Sequence, residues 1–583
     1  MGSQKIYDLI DRVIGKEGTL RTPSYWMRRV LNDVVGAVDG NATDISKLEA
    51  KIGSLEVSLA ETHKKADYAD KWIDSFVNYL TFVAEEDGLE IVLESFQYSG
   101  KLEYKIDDGQ WASIGIWEAT PSVAKGQRVS FRGNLPVNSQ EGIGKFTLSA
   151  KCSVEGTPMS LLYFDKKNYN RLPNYAFKDL FKNQVNLTSV SKDFLPATEL
   201  ADGCYSTMFY GCTSLVNTPE LPARELTDSC YEQMFRGCTS LVTAPRLPAT
   251  VLATDCYANM FSNCTSLVYA PELPVTTLTT QCYREMFSNC KSLVNAPQLP
   301  ATKLAEGCYR YMFDGCISLI TAPQLPATEL AKYCYLNMFG ECINLVTAPE
   351  LPATTMAQGC YQRMFYLCTS LVTAPQLHAT VLADSCYEEM FKICKNLTIA
   401  PELPAITLAN RCYYHMFYNC ESLVNVPELP ATKLVNYCYS YMFSACKSLV
   451  TAPELPAMEL ANSCYSGMFN GCTSLVDAPE LPATELMNYC YSHMFSNCIS
   501  LENAPELPAT TLAERCYENM FRTCTNLSYI KAMFTTNPGS LYTTNWVIGV
   551  APTGTFVKNA EATWDVNGIN GIPEGWTVET AAA

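Results

Sequence analysis

Histidine is almost missing from this chain: His63, His378, His415 and His493 are the four present in 583 residues. That scarcity removes most of the general bases and imidazole ligands on which hydrolases and zinc sites depend. None of the four recurs at a fixed distance from a serine, cysteine or aspartate, so the pattern supplies no nucleophile with a base beside it. Short Cys-x-x-Cys pairs are absent too, which argues against zinc. The glycines form neither a P-loop nor a dinucleotide fingerprint. The sequence therefore reads as non-catalytic, with no catalytic residue, cofactor site or metal ligand to name.

Basic charge is also short. Against 59 Asp and Glu stand 42 Lys and Arg, a net charge of −17, and phosphate binding needs clustered cations, so a nucleic-acid partner is not expected. No apolar run reaches the roughly 18 residues of a membrane span. The opening Met1-Gly2-Ser3-Gln4-Lys5-Ile6-Tyr7-Asp8 has no basic stretch leading into an apolar one. Neither membrane insertion nor a secretory leader is expected.

Cysteine, by contrast, is abundant, and it is periodic. Of 27 cysteines, 26 stand in two columns of a 26-residue repeat. From Cys204 each unit reads Cys-Tyr-x-x-Met-Phe-x-x-Cys-x-Ser/Asn-Leu-Val-x-Ala-Pro-Glu/Gln-Leu-Pro-Ala-Thr-x-Leu-Ala-x-x. The first column runs from Cys204 and Cys230 to Cys516, the second from Cys212 to Cys524, thirteen copies in all. A fixed period of this length marks a solenoid. Within one unit Cys204, Tyr205, Met208, Phe209, Cys212 and Leu215 share one face if the segment is a short helix. A strand of only a few residues follows at Leu215-Val216-Asn217-Thr218, because Pro219 and Pro222 lack the N–H a ladder needs. One unit has too little apolar surface to stand alone, so the layers must stack, about 4.8 Å apart. Residues 175–187 form a degraded first copy, and Ala532-Met533-Phe534 begins a last one that dissolves toward Trp546, Trp564 and Trp576. The thiol columns read as small buried hydrophobes beside Met and Phe, with interlayer disulfides geometrically conceivable.

Ahead of the repeats, Thr22-Pro23 suits the start of a helix. Apolar residues then recur in heptad steps, best supported at Ile45, Leu48, Ile52, Leu55 and Leu59 and extending to Leu80 and Val83. This predicts an oligomerising coiled coil, with a helical hairpin as the alternative. After Ala84 the period becomes two, in Leu89-Glu90-Ile91-Val92-Leu93, Lys101-Leu102-Glu103-Tyr104-Lys105-Ile106 and Arg128-Val129-Ser130-Phe131. Turns are expected at Asp107-Asp108-Gly109 and Arg132-Gly133-Asn134. The expected fold class is α+β: a leucine-rich-repeat solenoid preceded by a helical coiled-coil head and a small antiparallel β-domain. Its divisions are a helical head at 1–40, a coiled coil at 41–84, the β-domain at 85–165, the solenoid at 166–531 and a capping segment at 532–583.

The frame of the repeat is constant while a few positions vary, and tyrosine is frequent at those: Tyr210, Tyr311, Tyr333, Tyr366, Tyr414, Tyr418, Tyr437, Tyr441 and Tyr489. Exposed tyrosine anchors glycan and protein contacts at low entropic cost, so these nine are the candidate receptor-binding residues. Acidic pairs such as Glu388-Glu389 read as solvated.

At Met208-Phe209-Tyr210-Gly211-Cys212-Thr213-Ser214-Leu215 the unit resembles the BspA-type leucine-rich repeats of Bacteroidales and related bacteria. Asn545-Trp546-Val547, Gly554-Thr555-Phe556-Val557-Lys558 and the segment 571–578 resemble the closing segment of that family. Leu102-Glu103-Tyr104 and Met159-Ser160-Leu161-Leu162 are similar to the domain that often precedes it. The resemblance implies an adhesin. The N-terminal region resembles the virion-proximal end of tail fibre proteins of Bacteroides-infecting, crAss-like phages. That resemblance implies a receptor-binding tail protein made in the host cytoplasm, a homotrimer held to other virion tail proteins by its head and facing a host surface glycan or protein. Seam composition alone suits a dimer equally. The alternative is an adhesin on the bacterial cell surface.

Overall fold

The computed structural model describes residues 78–95, 99–138, 140–163 and 170–581. Seven strands open it: β1 (Leu80–Ala84), β2 (Ile91–Glu94), β3 (Leu102–Ile106), β4 (Ala112–Ser113), β5 (Arg128–Gly133), β6 (Lys145–Leu148) and β7 (Cys152–Glu155). Buried and less buried residues alternate along β2, β6 and β7, as a half-buried pleated surface requires. β1 lies between β5 and β7, antiparallel to both, and β2 pairs with β6. Phe82, Phe131 and Phe146 meet edge-on or tilted in the core, with centroids 5.1–5.6 Å apart.

Two expectations change in this region. Leu80 and Val83, counted as heptad positions, stand on β1, where pairing to two strands distant in sequence overrides the local spacing. The rest of the helical head and the coiled coil, including Ile45, Leu48, Ile52, Leu55 and Leu59, lies outside the described residues. Arg132 and Gly133 continue β5 instead of turning, opposite Glu103 and Leu102. A Cβ at Gly133 would sit 2.6 Å from the carbonyl oxygen of Lys101, so glycine here permits close strand approach rather than a bend.

The β-domain is the first lid of the solenoid. β8 (Leu187–Val190), in the degraded first copy, pairs in parallel with β7, so one sheet of order β4-β3-β5-β1-β7-β8 crosses from the domain into the repeats. The core crosses with it: Phe146 stacks on Phe181 at 5.9 Å, and Phe181 on Phe209 at 5.5 Å.

Inside the repeats the expected helix is replaced by a ribbon of turns. Ser206, Met208, Tyr210 and Cys212 donate their N–H groups three residues back, at 3.1–3.2 Å. The N–H groups between them, of Tyr205, Thr207, Phe209 and Gly211, leave the layer and reach the carbonyls of Cys230, Glu232, Met234 and Arg236 at 2.7–3.0 Å. Every fourth residue is left-handed, Gly203 (φ 60°), Thr207 (φ 55°) and Gly211 (φ 71°), and this breaks the helical path. Cys204, Met208 and Cys212 are thus spaced by a strict four and not by 3.6; over eight residues an apolar pattern fits either. The helical part of the expected fold class is therefore corrected. Among the described residues the only helical element is the 3-10 turn Pro158–Leu161, and the layers are built of turns, single bridges and short strands.

The strand after most ribbons shrinks to isolated parallel bridges such as Thr321↔Thr347 and Thr347↔Thr373, because the prolines that follow, two in most units, end the ladder. Stacking carries the rest. The tyrosine column from Tyr205 to Tyr517 repeats at 5.6–6.0 Å with ring planes within 10°. The phenylalanine column from Phe209 to Phe521 does so at 5.5–5.9 Å. Both are wider than the strand spacing expected and suit offset-stacked rings. All 27 cysteines are free and buried, so the disulfide option falls away.

At the far end β9 (Tyr529–Ala532), β10 (Thr555–Lys558) and β11 (Thr577–Thr580) continue the parallel ladder past the last cysteine. Trp546 takes the place of the repeat's methionine, its carbonyl receiving the N–H of Phe521 at 2.8 Å. The indoles of Trp546, Trp564 and Trp576 donate to the carbonyls of Gly571, Phe534 and Ala551 at 2.8–3.1 Å and close the open core.

Candidate binding surface

Each turn ribbon has two sides. Its apolar residues face inward; the second, third, sixth and seventh residues after the first cysteine, with the last residue of the unit, form columns along the array, where several, Asn259, Ser262 and Ser440 among them, are buried by their neighbours. Three of these columns, the third, the seventh and the last, hold the left-handed conformation. The candidate tyrosines fall on this face. Tyr311 and Tyr441 occupy the third position and Tyr333, Tyr437 and Tyr489 the last, all at φ 53–59°. Tyr210, Tyr366 and Tyr418 occupy the sixth, and Tyr414 the second.

Three of the nine come together. His415 stacks against Tyr414 at 4.0 Å and meets Tyr418 and Tyr441 at 5.1 Å each. This aromatic group rests on two carboxylates. Glu389 receives Arg363 Nε at 2.5 Å and Lys392 Nζ at 2.8 Å, with His415 Nδ1 at 3.4 Å. Glu388 is held by two nitrogens of Arg411, at 2.7 and 3.2 Å. Both are buried, 5–7% exposed, which corrects their reading as solvated. Burial alone would raise the Glu389 carboxyl; hydrogen bonds from His415 and Lys392, with the charges of Lys392 and Arg363, outweigh it and hold the group at about 2. The cations in turn lie over rings: Arg411 over Tyr414 at 4.2 Å, Lys392 over Tyr418 at 5.3 Å, Arg363 over Tyr366 at 5.6 Å. Such locked side chains lose little freedom when a partner docks.

The other candidates stand apart. Tyr210 lies between Lys182 and Arg236, at 5.7 and 5.9 Å. Tyr311 pairs with Arg310 and Tyr489 with Arg515. Tyr333 lies flat over Gly359, where a Cβ would meet its ring at 2.5 Å. Tyr437 is the most open, 43% exposed.

Sequence reasoning missed Arg363, Lys392, Arg411 and His415. Their signal was present: Arg363 and Glu389, and Glu389 and His415, are opposite partners one full repeat apart in a single column. Also missed was an exposed valine column beside the bridges, through Val216, Val242, Val346, Val372 and Val450, each 44–58% exposed. Among the described residues no group of three or more His, Cys, Asp or Glu is placed to hold a metal ion.

Comparison with known proteins bears on the repeats. Residues 164–320 and 402–528 match the BspA type leucine rich repeat region, in 6 copies. No curated relative matches the chain. A solved structure titled "Crystal structure of TLR13-ssRNA13 complex" contains a chain 15% identical over 66% of this one and 49% of that one, with a TM-score of 0.20. This chain spans about half of that one's length. The units over 164–320 and 402–528 are leucine-rich repeats of the BspA type.

Proposed function

We propose that this chain is an attachment protein that uses the outer face of its turn ribbons to bind a glycan or protein on a cell surface. The observation that carries this reading is the group of Tyr414, Tyr418, Tyr441 and His415, fixed from below by Glu388 and Glu389 through three cations. Aromatic rings with arginine at a rigid, half-buried centre are the composition of a binding hot spot. The BspA-type repeats support an adhesin-like role. The test is attachment of the labelled full chain to bacterial cells, with Tyr414→Ala and Tyr418→Ala as variants. Loss of attachment with an unchanged circular dichroism spectrum supports the reading, and full attachment by the double variant removes it.

The carrier of this function is a finer proposal. A virion tail, with a homotrimer facing other tail proteins, follows from the resemblance of the N-terminal residues; a bacterial envelope follows from the repeat type. Fractionation separates them. Protein in the envelope of uninfected cells and absent from purified phage particles excludes the tail.

A further inference from the structure

The sixth residue of each unit sets the relief of the turn face. Along this column stand Tyr210, Arg236, Ser262, Ser288, Asp314, Gly340 and Tyr366. Two serines in succession between larger neighbours leave a depression of about 280 Å³ that spans four layers. Its floor is polar and fixed. Ser262 and Ser288 are buried, 2% and 5% exposed, and their hydroxyls accept from the amides of Asn263 and Asn289 at 3.0 and 3.2 Å, which leaves each hydroxyl proton able to donate. Tyr311 forms one wall, with Arg310 over its ring at 5.3 Å. Asp314 stands beside it, its carboxylate receiving Asn337 Nδ2 at 2.6 Å. At the far end Arg236 Nη1 donates to Gln233 Oε1 at 3.4 Å.

We propose that this depression is a subsite for an uncharged pyranose ring of a polysaccharide. A ring wall, a carboxylate and a floor of hydroxyls and amides match a ligand with an apolar face and a rim of vicinal hydroxyls, since each hydroxyl both donates and accepts. The balance of charge favours a neutral sugar. Against the carboxyls of Glu285 and Asp314 stand Arg236 at the far end and Arg284, 3.3 Å from Glu285, so the charges along the depression nearly cancel and offer an anionic sugar no net attraction. Burial, then the nearby carboxylates of Glu341 and Glu285, push the Asp314 carboxyl up to about 7 against the Asn337 hydrogen bond, so near neutral pH it can accept from or donate to a hydroxyl.

This subsite rests on the reading of the turn face as a recognition surface, and the test separates the two. Saturation-transfer NMR on the full chain uses methyl β-glucopyranoside, methyl β-galactopyranoside, methyl α-mannopyranoside and glucuronate as probes. Ser288→Tyr fills the depression with a residue that the same column already holds at Tyr210, Tyr366 and Tyr418, so the layer is not disturbed. The expected result is transfer to at least one neutral pyranoside, its loss in Ser288→Tyr, and binding weakened by about tenfold in Asp314→Asn. No transfer to any neutral pyranoside, equal transfer in Ser288→Tyr, or transfer to glucuronate alone overturns the subsite. Cell attachment measured on the same samples reports the broader function separately: attachment that persists without a pyranoside signal sinks the subsite and leaves the attachment reading standing.

Discussion

The thiol of Cys238 donates to the carbonyl oxygen of Phe209, one layer earlier, at 3.1 Å. The same bond recurs down the second column, as from Cys290 to Phe261, Cys394 to Phe365 and Cys498 to Phe469, at 3.1 Å each. That carbonyl already accepts the N–H of Cys212 at 3.1 Å, so cysteine at this place is a small apolar body that also adds a second hydrogen bond to a buried acceptor, a combination alanine lacks. The native chain is expected to resist alkylation at neutral pH and to take up reagent at all its thiols only after denaturation. Mass spectrometry of the labelled protein measures this, and rapid native labelling of the columns contradicts it.

A pH dependence follows from the same burial. The thiols of Cys204, Cys264, Cys412 and Cys472 are pushed up from 9.0 to about 12, chiefly by desolvation. Below pH 9 both folded and unfolded chains keep these protons, and the stabilisation is fully present. Between about 9 and 12 only the unfolded chain releases them, so stability is lost at about 1.4 kcal/mol per thiol per pH unit. With so many buried thiols, circular dichroism in a reducing buffer is expected to show cooperative unfolding inside that window and little change from pH 7 to 9. Retention of the fold at pH 12 is the contrary outcome.

Left-handed positions predict stabilising changes. Ile393 stands at φ 65° in a column that holds glycine or asparagine at most of its places, Gly211, Asn263, Asn289 and Gly471 among them, and Leu367 one layer earlier. A β-branched residue is strained there by roughly 1 kcal/mol or more. Ile393→Gly is expected to raise the thermal midpoint, and an equal or lower midpoint counts against the turn geometry.

The tyrosine column carries a comparable cost. The hydroxyl of Tyr335 is buried without a hydrogen-bond partner, whereas its ring stacks on Tyr309 and Tyr361 at 5.9 and 5.6 Å. Tyr335→Phe keeps the stack and removes the unpaired group, for an expected gain of about 1 kcal/mol in denaturant unfolding. A loss of that size would show that the hydroxyl has a partner.

The period and the stacking could be read from residues alone, since Cys204 to Cys516 repeat without a slip; the pairing of β7 with β8, which sets the β-domain on the first copy, could not, because it joins segments that no shared period links. The ribbon could not be read from its apolar positions, because Cys204, Met208 and Cys212 fit a four-residue turn and a helix equally over so short a span. The column from Gly211 to Asn497, glycine or asparagine at eight of its twelve places, held the distinguishing signal. The tyrosines were found as a population, but their centre was not: Glu389 is defined by Arg363 and His415, each 26 residues away, a distance that matters only once layers are stacked.

The account stands or falls on which face binds. Surface plasmon resonance of the full chain over immobilised target-cell surface extract compares Tyr414→Ala with Tyr418→Ala on the turn face against Val346→Lys with Val372→Lys on the bridge face. The expected result is binding abolished by the first pair and retained by the second. Retained binding in the tyrosine variant, with loss in the valine variant, would place recognition on the bridge segments and contradict the account.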